Sequence, residues 1–152
     1  MDKPIVFLDY DGVVNTVYWR EYDGEFKAKY AHSVDGFVNN FQAICWLNEL
    51  YRKCPYDIVV TSTWRINDNY KECLYNGGLD RNIQVLGRTP VVYNARGKEI
   101  SQWMKENDFT GKFAILDDDS DMEELLPHLV RCNTFRGFGI EEMFKVLELI
   151  QS

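Results

Sequence analysis

Pro4-Ile5-Val6-Phe7-Leu8-Asp9-Tyr10-Asp11-Gly12 sets an unbroken apolar run against two carboxylates one residue apart. A strand covered on both faces needs apolar side chains on both, so it reads as a continuous run instead of an alternation. Polar function then collects where the run stops. Gly12 permits the backbone to turn at once, which lets Asp9 and Asp11 face one pocket. The stretch predicts a central parallel strand with an acidic carboxyl end.

Three further runs have the same form: Ile58-Val59-Val60 before Thr61, Phe113-Ala114-Ile115-Leu116 before Asp117, and Ile83-Gln84-Val85-Leu86 before Gly87. Leu129-Val130-Arg131-Cys132 is a fifth candidate strand. Between them the apolar spacing turns helical. Residues 36–51 bring Phe37, Phe41, Ile44, Cys45 and Leu47 near one face, with Asp35 placed to cap the start. A shorter helix after Thr63-Trp64-Arg65 is expected to stop at Gly77-Gly78, because glycine suits the left-handed turn of a helix end. Residues 97–106 and 140–150 predict two more helices. Strands alternating with helices imply an α/β architecture, a parallel sheet covered on both faces. One segment departs from the alternation. Tyr22-Asp23-Gly24-Glu25 is an Asp-Gly turn signal between aromatic-rich flanks, and predicts a small flap hairpin at about residues 16–31. No repeat, low-complexity tract or linker marks a second domain, so residues 1–152 are expected to form one.

The 152 residues suffice for one packed core, and 45% hydrophobic content places the chain far from the disordered class. Seventeen Lys and Arg stand against 24 Asp and Glu, a net charge of -7 that argues against extended binding of nucleic acid or an anionic membrane. No run is long and apolar enough for a signal or a membrane span, which predicts a cytoplasmic protein with no membrane partner. Cys45, Cys54, Cys73 and Cys132 form no CxxC pair and are expected to be reduced, mostly buried thiols.

In an open α/β sheet, ligands gather at the carboxyl ends of the strands, where Asp9, Thr61 and Asp117 all fall. A carboxylate attacks a phosphoryl group to form a mixed anhydride that water later cleaves, and that role suits Asp9. A second carboxyl gives the leaving oxygen its proton and later takes one from water, which suits Asp11. Several carboxylates around a phosphate repel one another unless a divalent cation intervenes, and Asp117, Asp118 and Asp119 offer oxygen ligands suited to magnesium. The Thr61 hydroxyl and the Ser62 backbone N–H are candidates to hold phosphate oxygens. Arg96 or Lys98 is the candidate cation for the transferring group, and the residues alone leave that choice open.

In order, Phe7-Leu8-Asp9-Tyr10-Asp11-Gly12, Val60-Thr61, Arg96 or Lys98, and Leu116-Asp117-Asp118 resemble the four motifs of the haloacid dehalogenase (HAD) superfamily over nearly the whole chain. The resemblance implies a three-layer Rossmann-like fold and a phosphatase working through an aspartyl-phosphate. It assigns the phosphorylated residue to Asp9 and the proton-handling one to Asp11. It places magnesium on Asp9, the backbone carbonyl of Asp11, and Asp117 or Asp118. Thr61-Ser62-Thr63-Trp64-Arg65, Thr89-Pro90, Arg96-Gly97-Lys98-Glu99-Ile100 and the run Ile115 to Asp121 are similar, more closely, to the small HAD domains of bacterial RNA-repair (Swiss Army Knife) proteins. That closer likeness favours Arg96 over Lys98. The intervals between motifs are too short for a large cap, so an open site is implied, with the terminal phosphate of an RNA or DNA end as substrate. No obligate protein partner is implied.

Other readings of these residues are weaker. As a calcium loop starting at Asp117, the sequence has Met122 where Gly is needed and His128 where Glu is needed. A receiver-like signalling module places its acid pair first and the phosphorylated Asp alone on a later strand, the reverse of the role order here. A small nucleotide or sugar phosphate is the enzymatic alternative, and a catalytically silent binding module the non-enzymatic one. Tyr18, Trp19 and Arg20, in the flap, are candidates to stack on a base or meet a phosphate, against the alternative that the hairpin buries its own aromatic face. His32 and His128 have no partner at a ligand spacing and read as structural.

Overall fold

The computed structural model describes residues 2–15, 33–34, 37–38, 41–91 and 95–151. Five strands, β1 (Ile5–Leu8), β4 (Asp57–Val60), β5 (Val85–Arg88), β6 (Phe113–Asp117) and β7 (Leu129–Arg131), form one sheet in the order β5-β4-β1-β6-β7. Every pairing in it is parallel. The remaining strands, β2 (Ser33–Val34) and β3 (Phe37–Val38), make a separate antiparallel pair. Helices α1 (Phe41–Lys53), α2 (Tyr70–Asn76), α3 (Arg96–Glu106) and α4 (Ile140–Ile150) alternate with the main strands, and 3₁₀ turns occupy Thr63–Ile66 and Glu123–His128.

The unbroken apolar run of β1 is explained by its central place, since successive side chains enter opposite layers. Val6 and Leu8 join Ile58, Val60, Ala114 and Leu116 beneath Ile44 and Leu47 of α1 and Met143 and Val146 of α4. Ile5 and Phe7 join Val59, Phe113 and Ile115 on the other face, beneath Ile100 and Trp103 of α3 and Leu125. Phe7 meets both Trp103 and Phe113 edge to face at centroid separations of 5.7 and 5.8 Å. The result is the three-layer α/β fold with a central parallel sheet that the alternation implies. No large cap stands among the described residues, and no helix among them is long and apolar enough to cross a membrane.

Two boundaries differ from the expectation. The helix expected over 36–51 begins at Phe41 and not after Asp35, because Phe37 and Val38 pair with Ser33 and Val34. Val34 pairs with Phe37, and the cap expected at Asp35 lies outside the described residues. The strand expected over 83–86 lies at Val85–Arg88, with an irregularity: Ile58 pairs with Val85 and Val59 with Gly87, so Leu86 is the extra residue. Ile83 is buried just before the strand, and its place in the core accounts for the early reading. The glycine helix stop holds: the N–H groups of Gly77 and Gly78 return to Leu74 and Tyr75, and Gly78 has φ +106°. Cys73 and Cys132 are buried, but Cys45 is exposed and Cys54 half-buried; all four are free thiols. His128 stacks on Phe113 at 4.0 Å, a packing role. The flap at about 16–31, with Tyr18, Trp19 and Arg20, lies outside the described residues, as does His32.

Candidate active site

The sheet register brings the motif residues level. Leu8 pairs with Val60 on one side and Leu116 on the other, so Asp9, Thr61 and Asp117 follow at the same height on three adjacent strands. The ladder continues one step further, with Asp9 N–H donating to Leu116 and Thr61 N–H to Leu8. The connection after β1 runs to β4 on one side and that after β6 to β7 on the other, so the switch between β1 and β6 is the position at which open α/β sheets form their crevice.

Asp9 is buried, and its Oδ1 accepts a hydrogen bond from the Tyr10 N–H at 2.9 Å. The loop past it is held by the Tyr10 carbonyl, which accepts from Val13, Val14 and Asn15, while Asn15 Nδ2 donates to Asp11 Oδ1 at 2.8 Å. Gly12 has φ +82°, and a Cβ there would collide with the Asp118 carboxylate. Glycine thus serves two needs: the turn, and the close approach of Asp118 to the first loop. Asp118 is fixed from the other side by Thr134 Oγ1, which donates to its Oδ2 at 3.1 Å, and by Arg131 Nε, which donates to its carbonyl at 3.0 Å.

Arg96, the first residue of α3, reaches back over the strand ends. Its Nη1 donates to Asp117 Oδ2 at 2.8 Å and to Thr61 Oγ1 at 3.3 Å, and lies 3.4 Å from Asp9 Oδ1. Lys98 is turned outward to Glu123 at 3.7 Å with 62% of its side chain exposed, so of the two candidate cations the pocket holds Arg96. Gly97 allows the helix to start there, since a Cβ would strike the backbone of Met122.

Asp9, Asp117 and Asp118 each present an oxygen within 4.8 Å of the others. That spacing and donor type fit a small hard cation such as magnesium, whose ligand oxygens lie about 2.1 Å from the ion. The charge balance agrees. Burial, reinforced by the Asp118 and Asp11 charges, lifts Asp9 from 3.8 to about 6 despite Arg96 and the Tyr10 N–H. Burial and the neighbouring Asp9 lift Asp117 from 3.8 to about 8, against Arg96 and the Asp119 N–H. One guanidinium is insufficient for this many carboxylates, and a divalent cation would supply the deficit. Asp119 is exposed and contributes its N–H to Asp117 Oδ1 at 2.9 Å, so its carboxylate is not part of the group. The Asp11 side chain, engaged by Asn15, is likewise outside the three.

The Thr61-Ser62 turn is held by a residue to which the sequence reading gave no site role. Arg65 is buried and donates to the carbonyls of Thr61 at 2.6 Å, Ser62 at 2.7 Å and Thr89 at 3.1 Å. Its Nη2 also pairs with the buried Glu99 at 2.8 Å. Through it the loop after β4, the loop after β5 and the helix bearing Arg96 are locked together. Arg65 and Glu99 lie far apart in sequence, and no local pattern links them. The only cue was that each falls inside one of the four similar strings.

Comparison with curated proteins and with solved structures found no match. A family model described as "HAD domain in Swiss Army Knife RNA repair proteins" matches residues 5–143, which includes every residue of the pocket. By that match and by its five-stranded parallel sheet, the chain belongs to the family of HAD domains found in Swiss Army Knife RNA repair proteins.

Proposed function

We propose that the chain is a magnesium-dependent phosphatase that forms an aspartyl-phosphate on Asp9 and removes a terminal phosphate from a nucleic acid or another large substrate. One observation carries the reading: a single guanidinium nitrogen of Arg96 lies within hydrogen-bonding or ion-pair reach of Asp9, Asp117 and Thr61. A nucleophile, an acidic ion site and two donors for phosphate oxygens thus share one pocket.

In this reading Asp9 attacks phosphorus, forming a carboxylate O–P bond as the ester P–O bond breaks. Asp11 gives its proton to the leaving oxygen, then takes one from the water that attacks the phosphoryl group, freeing Asp9 and inorganic phosphate. Arg96, the Thr61 hydroxyl and the Ser62 N–H hold the non-bridging oxygens where charge builds. Magnesium bound by Asp9, Asp117 and Asp118 would neutralise charge shared between the carboxylates and the phosphoryl group. Arg65 and Glu99 keep the Thr61 loop and α3 in register, so the donors require little rearrangement.

The family description and the absence of a large cap among the described residues support a large, end-phosphorylated substrate. The test is hydrolysis of p-nitrophenyl phosphate with and without magnesium, followed by kcat/KM for 3′- and 5′-phosphorylated oligonucleotides, mononucleotides and sugar phosphates. Magnesium-dependent turnover that disappears in Asp9→Asn, with oligonucleotides preferred, is expected. Full activity in Asp9→Asn overturns the nucleophile, and preference for mononucleotides over every oligonucleotide overturns the substrate class.

A further inference from the structure

Two recesses adjoin the pocket beside the loops after β4 and β5. The first, about 310 Å³, has Arg96, Ile66, Val91, Glu99 and Asp121 in its wall; the second, about 490 Å³, shares Ile66 and Val91 and is lined also by Arg88, Glu106 and Asn107. Shared walls make them one furrow. It follows α3 from Arg96, at the helix start, to Asn107, just beyond its end, a path of roughly 16 Å for a helix of this length.

The lining has an order. Arg96 stands at the acidic pocket, then come Ile66 and Val91, which are 70% and 68% exposed. Arg88 follows. Its guanidinium lies over the Tyr70 ring at 5.0 Å while its Nη1 donates to the Arg65 carbonyl at 2.6 Å, so an exposed cation is held in place before any ligand arrives. Glu106 lines the same recess as Arg88.

Resting on the phosphatase reading above, we infer that this furrow is the leaving-group subsite, and that its ligand is the nucleotide next to the scissile phosphate together with the phosphate after it. The succession of cation, apolar walls and cation matches that of phosphate, sugar and base, and phosphate. Ile66 and Val91 flank a base or sugar, and the Arg88 plane meets the next phosphate or stacks on the next base. Because Asp121 and Glu106 also line the furrow, its anion contacts are confined to Arg96 and Arg88, and the gain from a longer strand to the second nucleotide.

The test compares wild type with Arg88→Gln, Ile66→Ser and Val91→Ser, with Phe144→Ser, an exposed apolar residue on α4, as control. In wild type, kcat/KM should rise from a terminally phosphorylated mononucleotide to a dinucleotide and level off by a hexanucleotide. The ratio of hexanucleotide to p-nitrophenyl phosphate kcat/KM should fall about tenfold in each furrow variant and hold in Phe144→Ser. Unchanged ratios in the furrow variants, or a phosphopeptide turned over better than the hexanucleotide, overturn the subsite. A second arm needs no turnover: fluorescence anisotropy of a labelled, phosphorylated hexanucleotide on Asp9→Asn, with and without Arg88→Gln. Binding weakened about tenfold supports the furrow, and undiminished binding overturns it. Failure of p-nitrophenyl phosphate hydrolysis in wild type counts against the phosphatase reading alone, and the anisotropy arm still decides the furrow.

Discussion

Replacing Asp117 with asparagine should make the metal-free protein more stable, although it removes an ion pair with Arg96. Asp117 is buried beside Asp9 and holds its proton up to about pH 8, whereas the unfolded chain releases it near 3.8. The unfolded state therefore gains on the folded one as pH rises. Stability linked to this group is fully present below the unfolded value and is lost progressively up to the folded one. Each unit of displacement corresponds to about 1.4 kcal/mol. Sharing of the repulsion with Asp9 and loss of the Arg96 pair reduce the net gain from asparagine to roughly 2–3 kcal/mol at pH 8. At about 2–4 °C per kcal/mol for a chain of this size, Tm should rise by roughly 5–10 °C. Asparagine keeps an oxygen for the Asp119 N–H, so the loop retains its shape. The assay is thermal unfolding in EDTA from pH 4 to 8, repeated with magnesium. The variant's advantage should be near zero at pH 4 and widest at pH 8, and magnesium should raise the Tm of wild type but not of the variant. A variant less stable than wild type at pH 8 in EDTA, a gap that does not change with pH, or an equal magnesium shift in both would refute the reasoning.

Other substitutions separate the parts of the pocket. Arg65→Met strands a buried Glu99 and should cost about 3–5 kcal/mol in chemical denaturation, while Arg65→Met with Glu99→Leu should recover part of that stability but not kcat. Recovery of both would reduce the pair to a stability element. Gly12→Ala, forced to φ +82° against Asp118, should lower Tm and weaken the magnesium-induced shift; an unaltered shift would mean that Asp118 is not needed for the ion. Arg96→Ala should lower kcat by about 10²-fold or more, whereas Lys98→Ala, an exposed surface pair, should change kcat less than twofold and stability by less than about 0.5 kcal/mol. The opposite ranking would return the phosphate-binding role to Lys98.

The parts of this molecule legible in its sequence are those written locally. The runs before Asp9, Thr61 and Asp117 named three adjacent strands because burial on both faces leaves an unmistakable apolar signature, and register then fixes where the acids stand. Edges were harder to read. β5 is paired on one side only and contains a bulge, so Ile83, buried outside the strand, carried the pattern early. The β2 and β3 pair was hidden because Phe37 and Phe41 also fit a helical spacing. Within the pocket the acids were named from sequence and the likeness favoured Arg96 over Lys98, but the reach of Arg96 to the acids, the choice of Asp118 over Asp119, and the bracing by Arg65 and Glu99 depend on side-chain direction and distant pairing. Periodicity carries no record of these.

The most direct trial of the central claim is acid quenching of the protein during steady turnover of p-nitrophenyl phosphate with magnesium, followed by mass spectrometry of the peptide containing Asp9. A phosphoryl group on Asp9, absent when substrate is omitted and absent from Asp9→Asn, is expected. Sustained turnover with that peptide unmodified, or with the phosphoryl group on another residue, would contradict the account.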